Sequence, residues 1–167
     1  MTRTIQTEPL TAAAFAPFGE VLEATGTPEK LINKGKCGRF HDRAKLDFAD
    51  ARAGISVFLG EPCSFPYDIE LVERHPEGSQ AFLPMTQNPF LVVVTTGVDA
   101  KPRAFLTNGA QGINLHRGVW HGVLTPLAAP GLFGVVDRIG TTPNLEEHHF
   151  ELPWTVTGSG LSPASAD

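Results

Sequence analysis

Two stretches of the 167-residue chain gather side chains that move protons or hold metals. In the first, Glu73-x-His75-x-x-x-x-Gln80, a carboxylate, an imidazole and an amide oxygen stand close in sequence. If Ile69 to His75 is a strand, Ile69, Leu71, Glu73 and His75 share one face, because successive side chains alternate. That face changes from apolar to ionisable along its length. In the second, Gly112-Ile113-Asn114-Leu115-His116-Arg117-Gly118-Val119-Trp120-His121, the turn signal Gly118-x-x-His121 brings another imidazole from a later strand. Glu73, His75, Gln80 and His121 together suit a divalent metal. Without a metal, the same groups form either a hydrogen-bonded polar network inside a barrel or a site in which an imidazole is the general base.

The remaining polar residues divide by context. His116 and His121 need not share a face if the chain turns at Gly118, which makes one of them structural. Trp120 reads first as packing, since an indole carries a large apolar area. Arg74 lies on the strand face opposite Glu73 and His75, where an outer salt bridge is its ordinary role. Asp137-Arg138 ends an apolar run and offers either an internal ion pair or an anion clamp. His148-His149, among Glu146, Glu147 and Glu151, reads as solvated surface.

The elements that would position these groups are short strands. Thr11 followed by Ala-Ala-Ala-Phe-Ala predicts one N-capped helix, closed by Pro17 and Gly19. Ile55, Val57 and Leu59 alternate between glycines, which predicts a half-buried strand. Further strands are predicted over Gln80 to Met85, Phe90 to Thr96, Arg103 to Thr107, Ile113 to His116, Trp120 to Leu124 and Leu132 to Asp137. Phe90 to Val94 is apolar on both faces and predicts a central strand covered on both sides. Leu31 to Asp42, without clean periodicity, reads as a polar loop or edge strand. The spacing predicts an all-β sandwich or barrel in a single domain over residues 1–154. The Gly, Ser, Pro and Ala-rich residues 155–167 are expected to form a disordered tail.

Composition narrows the class. A hydrophobic fraction of 41%, with 19% charged residues, is that of a soluble globular chain, and no apolar run reaches the roughly 20 residues of a membrane span. A net charge of -5 argues against nucleic-acid binding and leaves a small molecule as the expected partner. Cys37 and Cys63 belong to no Cys-x-x-Cys pair and read as free thiols. Met1 to Leu10 lacks the features of a secretory signal, which makes the cytoplasm the expected compartment.

At these residues the chain resembles the ureidoglycolate lyases. The resemblance lies in Leu31-Ile32-Asn33 with Arg39-Phe40-His41-Asp42, Glu73-Arg74-His75-Pro76 with Gly78 to Met85, Arg103 to Gly109, Gln111 to Arg117, Val119-Trp120-His121 and Val136-Asp137-Arg138. It extends from about Leu10 to Glu151, and its motifs are specific as an ordered set. It implies an all-β, cupin-like (jelly-roll) barrel with a short N-terminal helix, usually a homodimer. It further implies a lyase of allantoin and purine breakdown that eliminates urea from (S)-ureidoglycolate to leave glyoxylate. The exposed polar-aromatic stretch Lys34 to Asp42 lends the dimer some support. The usual cupin pattern His-x-His-x4-Glu stands here as Glu73-x-His75-x4-Gln80. The resemblance also implies metal assistance, with nickel as the ion and no organic cofactor.

That reaction needs the carbinol proton removed, the leaving nitrogen protonated and the carboxylate held. His75 or His121 is the candidate base, and a metal on Glu73, His75, Gln80 and His121 would acidify the hydroxyl. Arg138 or Arg74 would fork onto the carboxylate, and Gln80, Asn114, His116 and Trp120 are the candidate substrate contacts. Three other readings stand beside this one: hydrolysis of the same substrate to glyoxylate, ammonia and carbon dioxide, a non-catalytic cupin that binds small acids, and a metal-dependent dioxygenase. The last is disfavoured because the spacings do not complete a two-histidine, one-carboxylate set.

Overall fold

The computed structural model describes residues 3–158. The chain opens with strand β1 (Arg3–Pro9), helix α1 (Ala12–Phe15), β2 (Gly19–Leu22), β3 (Lys30–Ile32) and β4 (Cys37–Arg39). It continues with β5 (Arg52–Gly60), β6 (Tyr67–Arg74), β7 (Gln80–Pro84), β8 (Phe90–Thr95), β9 (Arg103–Leu106) and β10 (Gly112–Leu115). It ends with β11 (Trp120–His121), β12 (Thr125–Pro126), β13 (Gly131–Ile139) and β14 (Glu146–Thr157). Thr11 caps α1 as predicted, its hydroxyl accepting from Ala14 N at 3.2 Å. The helix lasts one turn because Pro17 and Gly19 follow it closely, and it buries Phe15 completely.

The first sheet runs β11-β6-β14-β1-β9-β8-β12, and β11 also pairs with β8, so six strands close into a mixed barrel. Strand β1 lies parallel to both neighbours. Ile5, Ile69, Val72, Leu91, Val93, Ala104 and Val156 form one buried cluster, drawn from strands around that ring. The second sheet, β2-β10-β7-β13-β5, lies against β8 and β9. Between the sheets sits the larger core, in which Phe15, Phe82, Phe90, Val92, Val94, Phe105, Leu115, Phe133 and Val135 are all buried. Strand β8 is buried at every position because each of its faces serves a different core. This agrees with the all-β, cupin-like barrel and short helix expected from the sequence.

Two local expectations change. Ile55, Val57 and Leu59 do not face a core. They are 81%, 64% and 73% exposed, because β5 is an edge strand whose inward positions, such as Ser56 and Phe58, register with Val135 and Phe133. Strand β14 runs through Thr157, and Val156 is fully buried between Ile5 and Tyr67 in register, so residues 155–157 are not a tail. The alternation that holds this end down straddles the boundary drawn at Trp154, and residues 159–167 lie outside the described part. His148 and His149 stand in the same strand, with His148 edge-on to Phe150 at 5.2 Å. Residues Lys30 to Arg39 form a two-stranded hairpin whose turn, Asn33-Lys34-Gly35, uses three positive φ angles.

Candidate active site

Strand β6 leaves the barrel at Arg74, the chain turns through His75 to Ser79, and β7 enters the second sheet at Gln80. His75 and Gln80 therefore stand at the same end of the two facing sheets. His121 reaches this end on β11, in register with Glu73 on one side and Val94 on the other. Val94 belongs to the inter-sheet core, so its register partners His121 and Glu73 share that face. One ligand atom from each of Glu73, His75 and His121 lies within 4.8 Å of the others. The imidazole centroids of His75 and His121 are 5.4 Å apart.

Hydrogen bonding fixes which nitrogen of each ring is free. His75 Nδ1 is 2.7 Å from the Asn144 carbonyl, and His121 Nδ1 is 2.9 Å from the Gly122 carbonyl. A carbonyl only accepts, so each Nδ1 carries the proton and each Nε2 keeps its lone pair. Both Nε2 atoms are buried and have no partner among the described residues. Burial pulls the His121 pKa down to about 4, with the nearby His75 adding to the shift and the Gly122 bond opposing it. It is therefore a neutral acceptor at neutral pH. Burial likewise raises Glu73 above the usual carboxylate range, with Glu147 adding to the effect and His75 working against it.

Two lone-pair nitrogens and one carboxylate fit a divalent cation that takes imidazole and carboxylate together. The fold thus completes the two-histidine, one-carboxylate set that the linear spacings did not, because β11 delivers His121 from far along the chain. Gln80, 6% exposed, enters from the facing sheet, its amide nitrogen 3.4 Å from Asp137 Oδ2 and its Oε1 buried without a partner among the described residues.

The other candidates stand elsewhere. Asn114 shares a cross-sheet row with Glu20, Ala81, Val136 and the exposed Ile55, the outer face of the second sheet. There its amide donates to Glu20 at 2.8 Å and to the Lys45 carbonyl at 3.2 Å, under the segment that leads to β5. His116 pairs with the same Glu20 at 3.0 Å. Burial alone would raise Glu20, but bonds from Asn114 and His116 outweigh it and hold the carboxylate below its ordinary value. Arg138, also on the outer face, is almost wholly buried against Glu77 at 3.0 Å and Thr142 at 2.8 Å. Arg74 bonds Glu146 at 2.6 Å and lies over the Trp120 ring at 4.7 Å, and Trp120 itself packs on the barrel's interior cluster. None of these five joins the Glu73, His75 and His121 group. Sequence reasoning missed Asn144, whose carbonyl orients His75. A backbone acceptor leaves no signature in residue type.

The sequence profile of the ureidoglycolate lyase family matches residues 2–157. The chain belongs to the ureidoglycolate lyase family. It is 54% identical to a ureidoglycolate lyase of Rhodobacter capsulatus over 155 residues, which is 90% of this chain and 96% of that protein. It is 48% identical to ureidoglycolate lyase 2 of Rhizobium meliloti, over 89% of this chain and 94% of the relative. A ureidoglycolate lyase of Pseudomonas syringae pv. tomato is also 48% identical, over 89% of this chain and 91% of that protein. No helix among the described residues of this family member is long and apolar enough to cross a membrane.

Proposed function

We propose that this chain is a ureidoglycolate lyase that splits (S)-ureidoglycolate into glyoxylate and urea in allantoin breakdown. Near-full-length similarity to proteins of that name supports the reading, and the observation that carries it in the structure is the convergence of two acceptor imidazoles and a carboxylate at one partly buried site. In the elimination, the carbinol O–H loses its proton, its electrons form the aldehyde C=O, and the C–N bond breaks as the ureido nitrogen takes up a proton. Substrate and products balance without water. With no ion bound, His121 Nε2, or His75 Nε2 beside it, takes the hydroxyl proton and can return it to the departing nitrogen. Glu73, held partly out of water, keeps a negative group beside the imidazolium that forms.

A divalent ion, nickel by the resemblance, would be held by Glu73, His75 and His121 with Gln80 approaching from the facing sheet, and would supply Lewis acidity toward the hydroxyl. The test is to assay glyoxylate, urea and ammonia from racemic ureidoglycolate, with and without a chelator. Glyoxylate with equimolar urea is expected. Ammonia in place of urea would replace the lyase by a hydrolase, and binding without turnover would leave a small-acid-binding cupin.

We also propose a homodimer, supported by the outward apolar stripe Ile55, Val57 and Leu59, which continues across the sheet to Leu83 and Met85, 41% and 58% exposed. An apolar area of this kind marks an interface more often than free surface. Free Cys37 and Cys63 support a reducing, cytoplasmic compartment.

A further inference from the structure

Strand β13 turns Phe133, Val135 and Asp137 to the inter-sheet space, as the burial of Phe133 and Val135 shows, and Asp137 meets Gln80 there. A carboxylate accepts hydrogen bonds and donates none, so the face of the Gln80 carboxamide turned to Asp137 must be its NH2. The other face is then set: Oε1 points away from Asp137 into the buried end of the interior, where it has no partner among the described residues. A buried acceptor left unmade is costly, and native interiors leave few of them without a purpose. The turn from His75 to Ser79 places this oxygen at the same end of the sheets as the two imidazoles.

Resting on the lyase reading, we infer that Asp137 is a positioning residue that holds Gln80 Oε1 toward the substrate, where it accepts from the terminal ureido NH2. The substrate's own chemistry selects that group. Its carboxylate has no proton to give to an amide oxygen, and its hydroxyl surrenders its proton during the reaction. The ureido N–H donors alone persist from bound substrate to departing urea. A fixed acceptor at this point reads the leaving group as a urea and rejects analogues without N–H on the terminal nitrogen, because the buried oxygen would then stay unpaired.

The test uses the full-length protein and the variants Asp137→Asn, Gln80→Ala and their combination. An asparagine can present either of its amide atoms, so Asp137→Asn frees the Gln80 amide to turn over while keeping the side-chain shape. Each single variant is expected to lose roughly tenfold in kcat/KM, and the double variant to lose no more than Gln80→Ala alone. Discrimination between ureidoglycolate and an analogue dimethylated on the terminal nitrogen should fall by a similar factor in Asp137→Asn, a ratio that a merely structural role would not move. Losses that multiply in the double variant, or unchanged discrimination, would overturn the inference. If the wild type releases neither glyoxylate nor urea, the lyase reading falls by itself. The Gln80 side-chain NH2 resonances then decide the Asp137 contact: a shift on Asp137→Asn upholds it, and no shift removes it.

Discussion

His75 and His121 have the same tautomer for the same reason, a carbonyl bonded to Nδ1, yet their supports differ in reach. His121 uses its neighbour Gly122, whereas His75 depends on Asn144, 69 residues away in sequence. Replacing either histidine with alanine should lower kcat by roughly 10²-fold or more if its Nε2 moves the proton, and His149→Ala, on an exposed position of β14, should leave it unchanged. Steady-state assay of folded variants decides this, and wild-type rates in both site variants would defeat the assignment. Burial of His121 has a second consequence. Between its folded pKa of about 4 and the ordinary 6.5, the unfolded chain binds a proton that the folded chain does not. Stability should therefore fall as pH drops through that window, by about 3 kcal/mol at about 1.4 kcal/mol per unit, and this group should add no slope above it. Thermal unfolding of chelator-treated protein from pH 7 to 4 is expected to show a steeper loss in the wild type than in His121→Asn.

At the scale of elements, close backbone approach is what lets β2 sit on β10. A Cβ at Gly19 would run into the Asn114 carbonyl across the register pair Leu115 and Gly19. Gly19→Ala should therefore cost about 1–3 kcal/mol, the range of overpacked cores, and lower the unfolding midpoint in a denaturant titration. An unchanged midpoint would mean that β2 moves away freely. Strands such as β7, β8 and β13 were legible because alternation, glycine and proline punctuate them, whereas β1 and β14 were not read as strands. Alternation does not say which side is the interior. Ile55, Val57 and Leu59 have the right period and the wrong direction, since the apolar face of an edge strand can be turned outward. For the site, Glu73, His75 and His121 were legible as chemistry-bearing types on or beside strands. Arg138 and Asn114 were not, because their place on the outer face follows from cross-strand register, which pairs Asn114 with Ala81 and Ile55 with Val136. Register is a property of three or more strands at once and has no local sequence signal.

For the molecule as a whole, the site and the stripe lie on opposite faces of one sheet. Strand β13 carries Asp137 inward to Gln80, and its outward Val136, Gly134 and Leu132 pair with Ile55, Val57 and Leu59. An unpaired apolar face of this composition would be a poor surface for a monomer, and β5, an edge strand, leaves it open to a second copy. A charge at its centre should then separate the protomers without unfolding them, because Val57 is 64% exposed and its side chain holds little of this chain's own core. Val57→Asp is expected to shift the mass seen in light scattering from about twice 17.9 kDa toward 17.9 kDa at micromolar concentration, with the β-sheet circular dichroism retained. Because β13 serves both faces, the same variant tests whether the dimer supports the site. If covering the stripe stiffens β13, kcat/KM should fall on dissociation and recover as rising protein concentration restores the dimer by mass action. A wild type that remains monomeric at every micromolar concentration would remove the dimer and leave the apolar stripe to some other partner.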